Sequence, residues 1–147
     1  MILVSACLVG ENTKYNGGNN RNEDVLKYLK DKEYILCCPE QLGGLSTPRL
    51  PSEIQGGDGA TVLANNAKVN NVEGNTVTDE FIHGAEETLK LAKTQNVELA
   101  ILKSKSPSCG CGKIYNGSFI GKTIIGNGVT AELLLKNGIK VITEEDV

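Results

Sequence analysis

A chain of 147 residues, 39% hydrophobic and 22% charged, has the size and composition of one globular domain, residues 1–147. Fifteen basic against eighteen acidic side chains leave a formal net charge of -3, and no lysine or arginine run supplies the basic footprint that duplex nucleic acid needs. No stretch approaches the ~20 apolar residues of a membrane span, and the opening MILVSACLVG lacks the charged start and cleavage site of a secretory leader, so the expected compartment is the cytoplasm, where five cysteines stay reduced.

The first run, MILVSACL, is continuously apolar before Gly10, the pattern of a strand buried on both faces. EDVLKYLK places Val25, Leu26 and Leu29 at helical spacing, with Asn22 as N-cap. EYILCC is a second apolar run, stopped by Pro39. Residues 43–78 read as one long polar segment holding Pro48, Pro51 and the cluster GGDG. Irregular stretches of that length are uncommon in compact domains and often functional. TDEFIHGAEETLKLAKTQN reads as an amphipathic helix with Phe81, Ile82, Ala85, Leu89 and Ala92 on one face, capped by Thr78 or Asp79. VELAILKS is a third strand and runs into the loop SPSCGCG. GSFIGKTIIGNG is loop-like with room for a short β segment; VTAELLLKNG is the last helix, ended by Gly138 at C′; IKVIT is a fourth strand.

Strands alternating with helices imply parallel βαβ units with right-handed crossovers. The expected fold is α/β: a Rossmann-like or flavodoxin-like three-layer sandwich with a four-stranded, mostly parallel sheet. Such sheets bind ligands outside the carboxyl ends of their strands, where the strand order reverses.

Cys7 falls at the end of the first strand, Cys38 at the end of the second, and Cys109 and Cys111 in the loop after the third. Parallel strands send these ends to one edge, so thiols remote in sequence converge. Inert packing is the plain reading of any single free cysteine. Three at corresponding strand ends favour a ligand cluster. CGC and CC lack the C-x2-4-C spacing of structural zinc sites, and a three-thiolate set suits an iron–sulfur cube with one iron left without a protein ligand. Spacing alone does not select the cube over zinc.

The segments VSACLVG, CPEQLGGLSTPRLPSEIQGGDG, LKSKSPSCGCGKIYNGSF and GNGVTAELLLKNGIKV, in that order, resemble the bacterial thiouracil desulfidase family over nearly the whole chain. The resemblance implies removal of sulfur from thiolated pyrimidines (thiouracil, thiouridine or thio-UMP) with a 4Fe-4S cluster held by three cysteines. By motif, those ligands are Cys7 of VSAC, Cys38 of CPE and Cys109 of SPSCG. Cys37 takes a position the family fills with an apolar residue, and strand alternation turns it from Cys38 into the core. Cys111 lies where the family varies and reads as an extra thiol. Many members of that family carry another cysteine and an aspartate after the first strand, as in NCRYDG; here the stretch is NTKYNG, with Thr13 and Asn16.

The implied chemistry is hydrolysis, with a soft, open iron taking the thiocarbonyl sulfur while water attacks the ring carbon. Glu40 is the candidate general acid/base. Ser106 is the candidate for positioning water or the substrate carbonyl, with Ser104 and Lys103 as nearby alternatives. Arg49 and Glu53 are expected to pair with each other or to line the mouth, Arg49 toward an anionic substrate. GNGVT either offers amides to a phosphate or is an ordinary helix start. His83, the single histidine, is expected as a partly exposed helix residue, and no Ser-His-Asp arrangement assembles around it. The alternative class is a non-catalytic iron–sulfur or metal-binding carrier or sensor, which would saturate its irons with a fourth cysteine such as Cys111. A cysteine-nucleophile hydrolase is disfavoured because no histidine accompanies a thiol.

Overall fold

The computed structural model describes residues 1–147. In chain order the elements are β1 (Ile2–Ser5), α1 (Glu23–Leu29), β2 (Tyr34–Cys37), α2 (Pro39–Leu42), β3 (Ser52–Gln55), α3 (Gly59–Leu63), β4 (Lys68–Asn71), α4 (Thr78–Thr94), β5 (Leu99–Leu102), β6 (Lys113–Tyr115), β7 (Thr123–Ile125), α5 (Val129–Lys136) and β8 (Lys140–Thr143). The main sheet has the order β2-β1-β5-β8, and every neighbouring pair is parallel. The four strands and their helices form the expected α/β sandwich. Strand order reverses between β1 and β5, which makes their carboxyl ends the switch point where a ligand crevice opens.

Side-chain alternation divides the core. Leu3, Ala100, Leu102 and Val141 pack with Ala92, Ala131 and Leu134 under α4 and α5. Val4 and Ile101 face the other way, onto Val25 and Leu29 of α1. The central strands are therefore buried on both faces, whereas β2, at the edge, leaves Tyr34 and Leu36 exposed. No helix is long and apolar enough to cross a membrane.

Local signals hold at several ends. Asn22 caps α1 by accepting from the Val25 amide at 3.0 Å, and Gly138 follows α5 with φ +80°. The first strand is shorter than its apolar run, because Ala6–Val9 close into a 3-10 turn. Neither Thr78 nor Asp79 caps α4: Val77 precedes it, and the Thr78 hydroxyl instead accepts from the Val69 amide at 3.0 Å, tying α4 to β4.

The segment expected to be irregular, 43–78, is folded. β3 and β4 pair antiparallel around α3, whose start is a reciprocal capping box between Asp58 and Thr61. Ile54, Ala67 and Val69 stand singly between polar neighbours, and with Val62 they bury against Phe81 and Ala85 of α4. Tertiary contact, not local periodicity, makes these elements. The 3-residue strand β7 pairs antiparallel with β6, as the short β segment of GSFIGKTIIGNG.

Helix α2 lies against α4 through two glycines. A Cβ at Gly43 would collide with the Glu80 carbonyl oxygen, and one at Gly84 with the Pro39 carbonyl oxygen. This backbone contact fixes the short helix that follows Cys38.

Candidate active site

A cavity of about 500 Å³ opens at the carboxyl edge of the sheet, and Cys7, Cys38, Cys109, Glu40 and Ser106 all line it. The convergence expected from parallel topology is present. All five cysteines are free.

Each thiol has its own support. Cys7 lies on the 3-10 turn leaving β1, and Asn20 Nδ2 donates to its sulfur at 3.4 Å. Burial pushes this thiol up from its ordinary pKa, against the lowering effect of that bond. Cys38 sits between β2 and α2; its sulfur donates to the Thr13 carbonyl and receives Arg49 Nη2, both at 3.8 Å. Cys109 is buried, and the Ser5 hydroxyl at the end of β1 reaches its sulfur at 3.7 Å. Burial raises its pKa well above the ordinary thiol value.

The Cys109 loop is held at both ends. Ser106 Oγ accepts from the amides of Ser108 (3.1 Å) and Cys109 (3.0 Å). Those two bonds occupy the hydroxyl's acceptor sites and leave its proton for donation. From the other side, the amides of Gly128, Val129 and Thr130 donate to the carbonyls of Gly110, Pro107 and Ser108 at 2.7–2.9 Å. Gly128 permits that approach, since a Cβ there would crowd the Ser108 carbonyl. The GNGVT amides therefore clamp the cysteine loop and are not offered to a phosphate.

The other two thiols differ in position. Cys37, on β2, is at the cavity wall but packs into the core cluster that also contains Cys109, and burial pushes its pKa up to about 12. Cys111 donates to the Val141 carbonyl at 3.7 Å and packs on the same cluster outside the cavity.

Arg49 lines the cavity together with Glu53, one of the two arrangements expected of it. It pairs with Glu40, not Glu53: Nε donates to Glu40 Oε1 at 3.1 Å, with the two side chains 7% and 19% exposed. Its Nη1 serves Thr47 Oγ1 (2.8 Å) and the Ser46 carbonyl (3.4 Å), and Nη2 serves the Thr13 carbonyl (2.9 Å) besides Cys38. All five guanidinium donors are engaged within the protein, so none is left for a substrate anion. Glu53 is buried under the loop between β6 and β7, where Oε1 accepts from the Gly117 amide at 2.9 Å and the Phe119 amide at 3.2 Å. A pairing across 64 residues has no local sequence signature.

Lys103 and Ser104, at the end of β5, also line the cavity. Lys103 Nζ bonds Ser104 and, at 3.2 Å, Glu144; the Glu144 carboxylate accepts from the Ser104 amide and hydroxyl, both at 2.7 Å. Sequence reading missed Glu144, Asn20 and the aromatic lining Tyr15, Tyr115 and Phe119. Asn16 receives the Gly18 amide in a local turn, and His83 is exposed on α4.

No three His, Cys, Asp or Glu side chains close on a single metal ion. Cys7, Cys38 and Cys109 are distributed around one cavity, each with a hydrogen-bond donor aimed at its sulfur, and could hold a polynuclear group, whose separate metal atoms take separate ligands.

The chain is 49% identical over 147 residues to the uncharacterized protein YbbK of Bacillus subtilis (strain 168), covering all of this chain and 97% of YbbK. It is similar to the solved structure of the 4Fe-4S-dependent thiouracil desulfidase TudS, with a TM-score of 0.85 and 40% identity over 99% of this chain and 91% of that one. The family model for 2-thiouracil desulfurase matches residues 2–146. The chain belongs to the 2-thiouracil desulfurase family.

Proposed function

We propose that this protein is a cytoplasmic desulfidase that hydrolyses the C–S bond of thiolated pyrimidines (thiouracil, thiouridine or thio-UMP), using a 4Fe-4S cluster held by Cys7, Cys38 and Cys109. The observation that carries this reading is the meeting of those three thiols with Glu40 and Ser106 around one cavity. When bound, the cluster supplies a thiophilic Lewis acid, an iron with no protein ligand, for the substrate sulfur.

The chain's own residues supply the rest. Water adds to the thiocarbonyl carbon, and sulfur leaves as hydrosulfide, so the carbonyl product gains the water oxygen without net redox change. Glu40 takes the proton from water and returns one to the ring nitrogen or the departing sulfur. Arg49, bonded to Glu40 through Nε, fixes the direction of that carboxylate. Ser106, with its lone pairs committed to the Ser108 and Cys109 amides, acts as a donor toward the substrate. Asn20, Ser5 and Arg49 donate toward the sulfurs of Cys7, Cys109 and Cys38 and would hold those sulfurs in place as ligands. Cys111 lies outside the cavity, which supports three ligands and an open site in place of a saturated carrier.

The test is anaerobic reconstitution followed by iron and sulfide analysis and incubation with 4-thiouracil. Four irons and four sulfides per chain, with loss of the thiocarbonyl absorbance and release of uracil and sulfide, are expected. A fully loaded protein that leaves every thiolated pyrimidine intact would return the carrier reading to first place.

A further inference from the structure

We propose that Phe119 is the stacking wall for the pyrimidine ring and that Glu53 is the positioning residue that holds it in the cavity; this rests on the desulfidase reading above. The chain has two phenylalanines. Phe81 is buried in the core, whereas Phe119 is half-buried in the loop between β6 and β7 and lines the cavity. Its φ is +59°, in the left-handed region that a bulky side chain seldom adopts. Strain of this kind persists only where surrounding contacts over-determine it, and it concentrates at ligand sites.

Those contacts are specific. The Glu53 carboxylate, 8% exposed, receives both the Gly117 and the Phe119 amides on Oε1. Gln55 Nε2 donates to the Gly117 carbonyl at 2.9 Å, and Asn70 Nδ2 donates to Gln55 Oε1 at 2.8 Å. Gly117, at φ +93°, lies so close to the Ile54 carbonyl that a Cβ would crowd it. An exposed turn needs neither a buried carboxylate nor an aromatic residue at its strained position. Burying a carboxylate is costly unless its bonds are satisfied. The fold retains both features where the ring of Phe119 joins Tyr15 and Tyr115 along the cavity.

An aromatic face binds flat heterocycles by stacking, with little dependence on their ring substituents. Phe119 therefore selects planar, unsaturated thiopyrimidines and acts on binding, not on the proton transfers assigned to Glu40. Stacking made equally in ground and transition states appears in KM and leaves kcat alone.

The experiment uses cluster-loaded full-length protein under anaerobic conditions. It measures 4-thiouracil kinetics and equilibrium dialysis of uracil and 5,6-dihydrouracil, whose ring is not planar. Wild type is expected to bind uracil more tightly than dihydrouracil. Phe119→Leu should raise KM and the uracil Kd by roughly 10-fold or more, keep kcat within about 2-fold and lose the preference for the planar ring. Phe119→Tyr should restore wild-type behaviour. Glu53→Ala should copy Phe119→Leu at unchanged iron and sulfide content, and circular dichroism establishes that it is folded. A wild type that turns over 4-thiouracil, with Phe119→Leu matching it in KM and uracil Kd, overturns the stacking wall alone. A wild type that leaves 4-thiouracil, 4-thiouridine and 4-thio-UMP all intact overturns the desulfidase reading itself.

Discussion

Arg49 Nε donates to Glu40 Oε1 at 3.1 Å, a pair whose two residues come from α2 and from the loop leading to β3. The same guanidinium spans the Thr13 carbonyl and the Cys38 sulfur, so a single planar group sets the orientation of the proposed proton carrier and one proposed ligand together. A lysine has no planar fork with which to make these contacts at once. Arg49→Lys should keep near-normal cluster absorbance while lowering kcat by roughly 10- to 100-fold, the scale of a misplaced catalytic group. Stopped-flow desulfuration of 4-thiouracil measures this, and an unchanged kcat would mean that Glu40 holds its position unaided.

Glu40→Gln retains shape and one acceptor oxygen for Arg49 but removes proton transfer. We expect normal iron content and substrate affinity, with kcat lower by about 10²–10⁴. Single-turnover loss of the thiocarbonyl band decides the matter. A wild-type rate would make Glu40 a turn carboxylate, and loss of iron would make it part of the ligand sphere.

The cysteines separate into two groups. Cys7→Ala, Cys38→Ala and Cys109→Ala should each abolish assembly of the cluster, because two thiolates hold a cube poorly. Cys37→Ala and Cys111→Ala should assemble it almost normally, since neither is one of the three proposed ligands and Cys111 bonds Val141 outside the cavity. Visible absorbance after anaerobic reconstitution reads both groups. Its disappearance in Cys111→Ala would require a fourth ligand.

Gly84 lets α4 meet the Pro39 backbone. Gly84→Ala gains helix propensity but forces a Cβ against the Pro39 carbonyl. A loss of about 1–3 kcal/mol is expected from overpacking, larger than the propensity gain. Urea denaturation of the apo protein measures it. Because α2 also carries Glu40, the cluster-loaded variant should lose activity in excess of its loss of stability.

Glu144 links the end of β8 to Ser104 and Lys103. Burial pushes its carboxyl up, but the Ser104 hydroxyl and amide and the Lys103 ammonium outweigh it and hold the pKa below the ordinary carboxylate value. The folded state therefore binds fewer protons than the unfolded chain as this group titrates, and its contribution to stability is present above the ordinary carboxylate pKa. The contribution is lost as pH falls through the folded value. Glu144→Gln should cost about 1–2 kcal/mol at neutral pH, and the gap from wild type should close in acid. A gap independent of pH would assign the loss to packing.

The sequence by itself determined the parallel sheet and the edge at which its thiols gather. Apolar runs separated by helical patterns are local signals, and parallel strands must present their carboxyl ends together, so Cys7, Cys38 and Cys109 were bound to one rim before any contact was known. The caps at Asn22 and Gly138 were legible for the same reason, because each acts within a few residues. Only the tertiary structure decided that Arg49 meets Glu40 while Glu53 crosses to the Phe119 turn, and that the GNGVT amides clamp the Cys109 loop. It also built β3, α3 and β4 from a stretch without periodicity, because their few apolar residues are organised by burial against α4. In each case the deciding partner lies far along the chain or at a close backbone approach, and neither leaves a pattern in the local sequence.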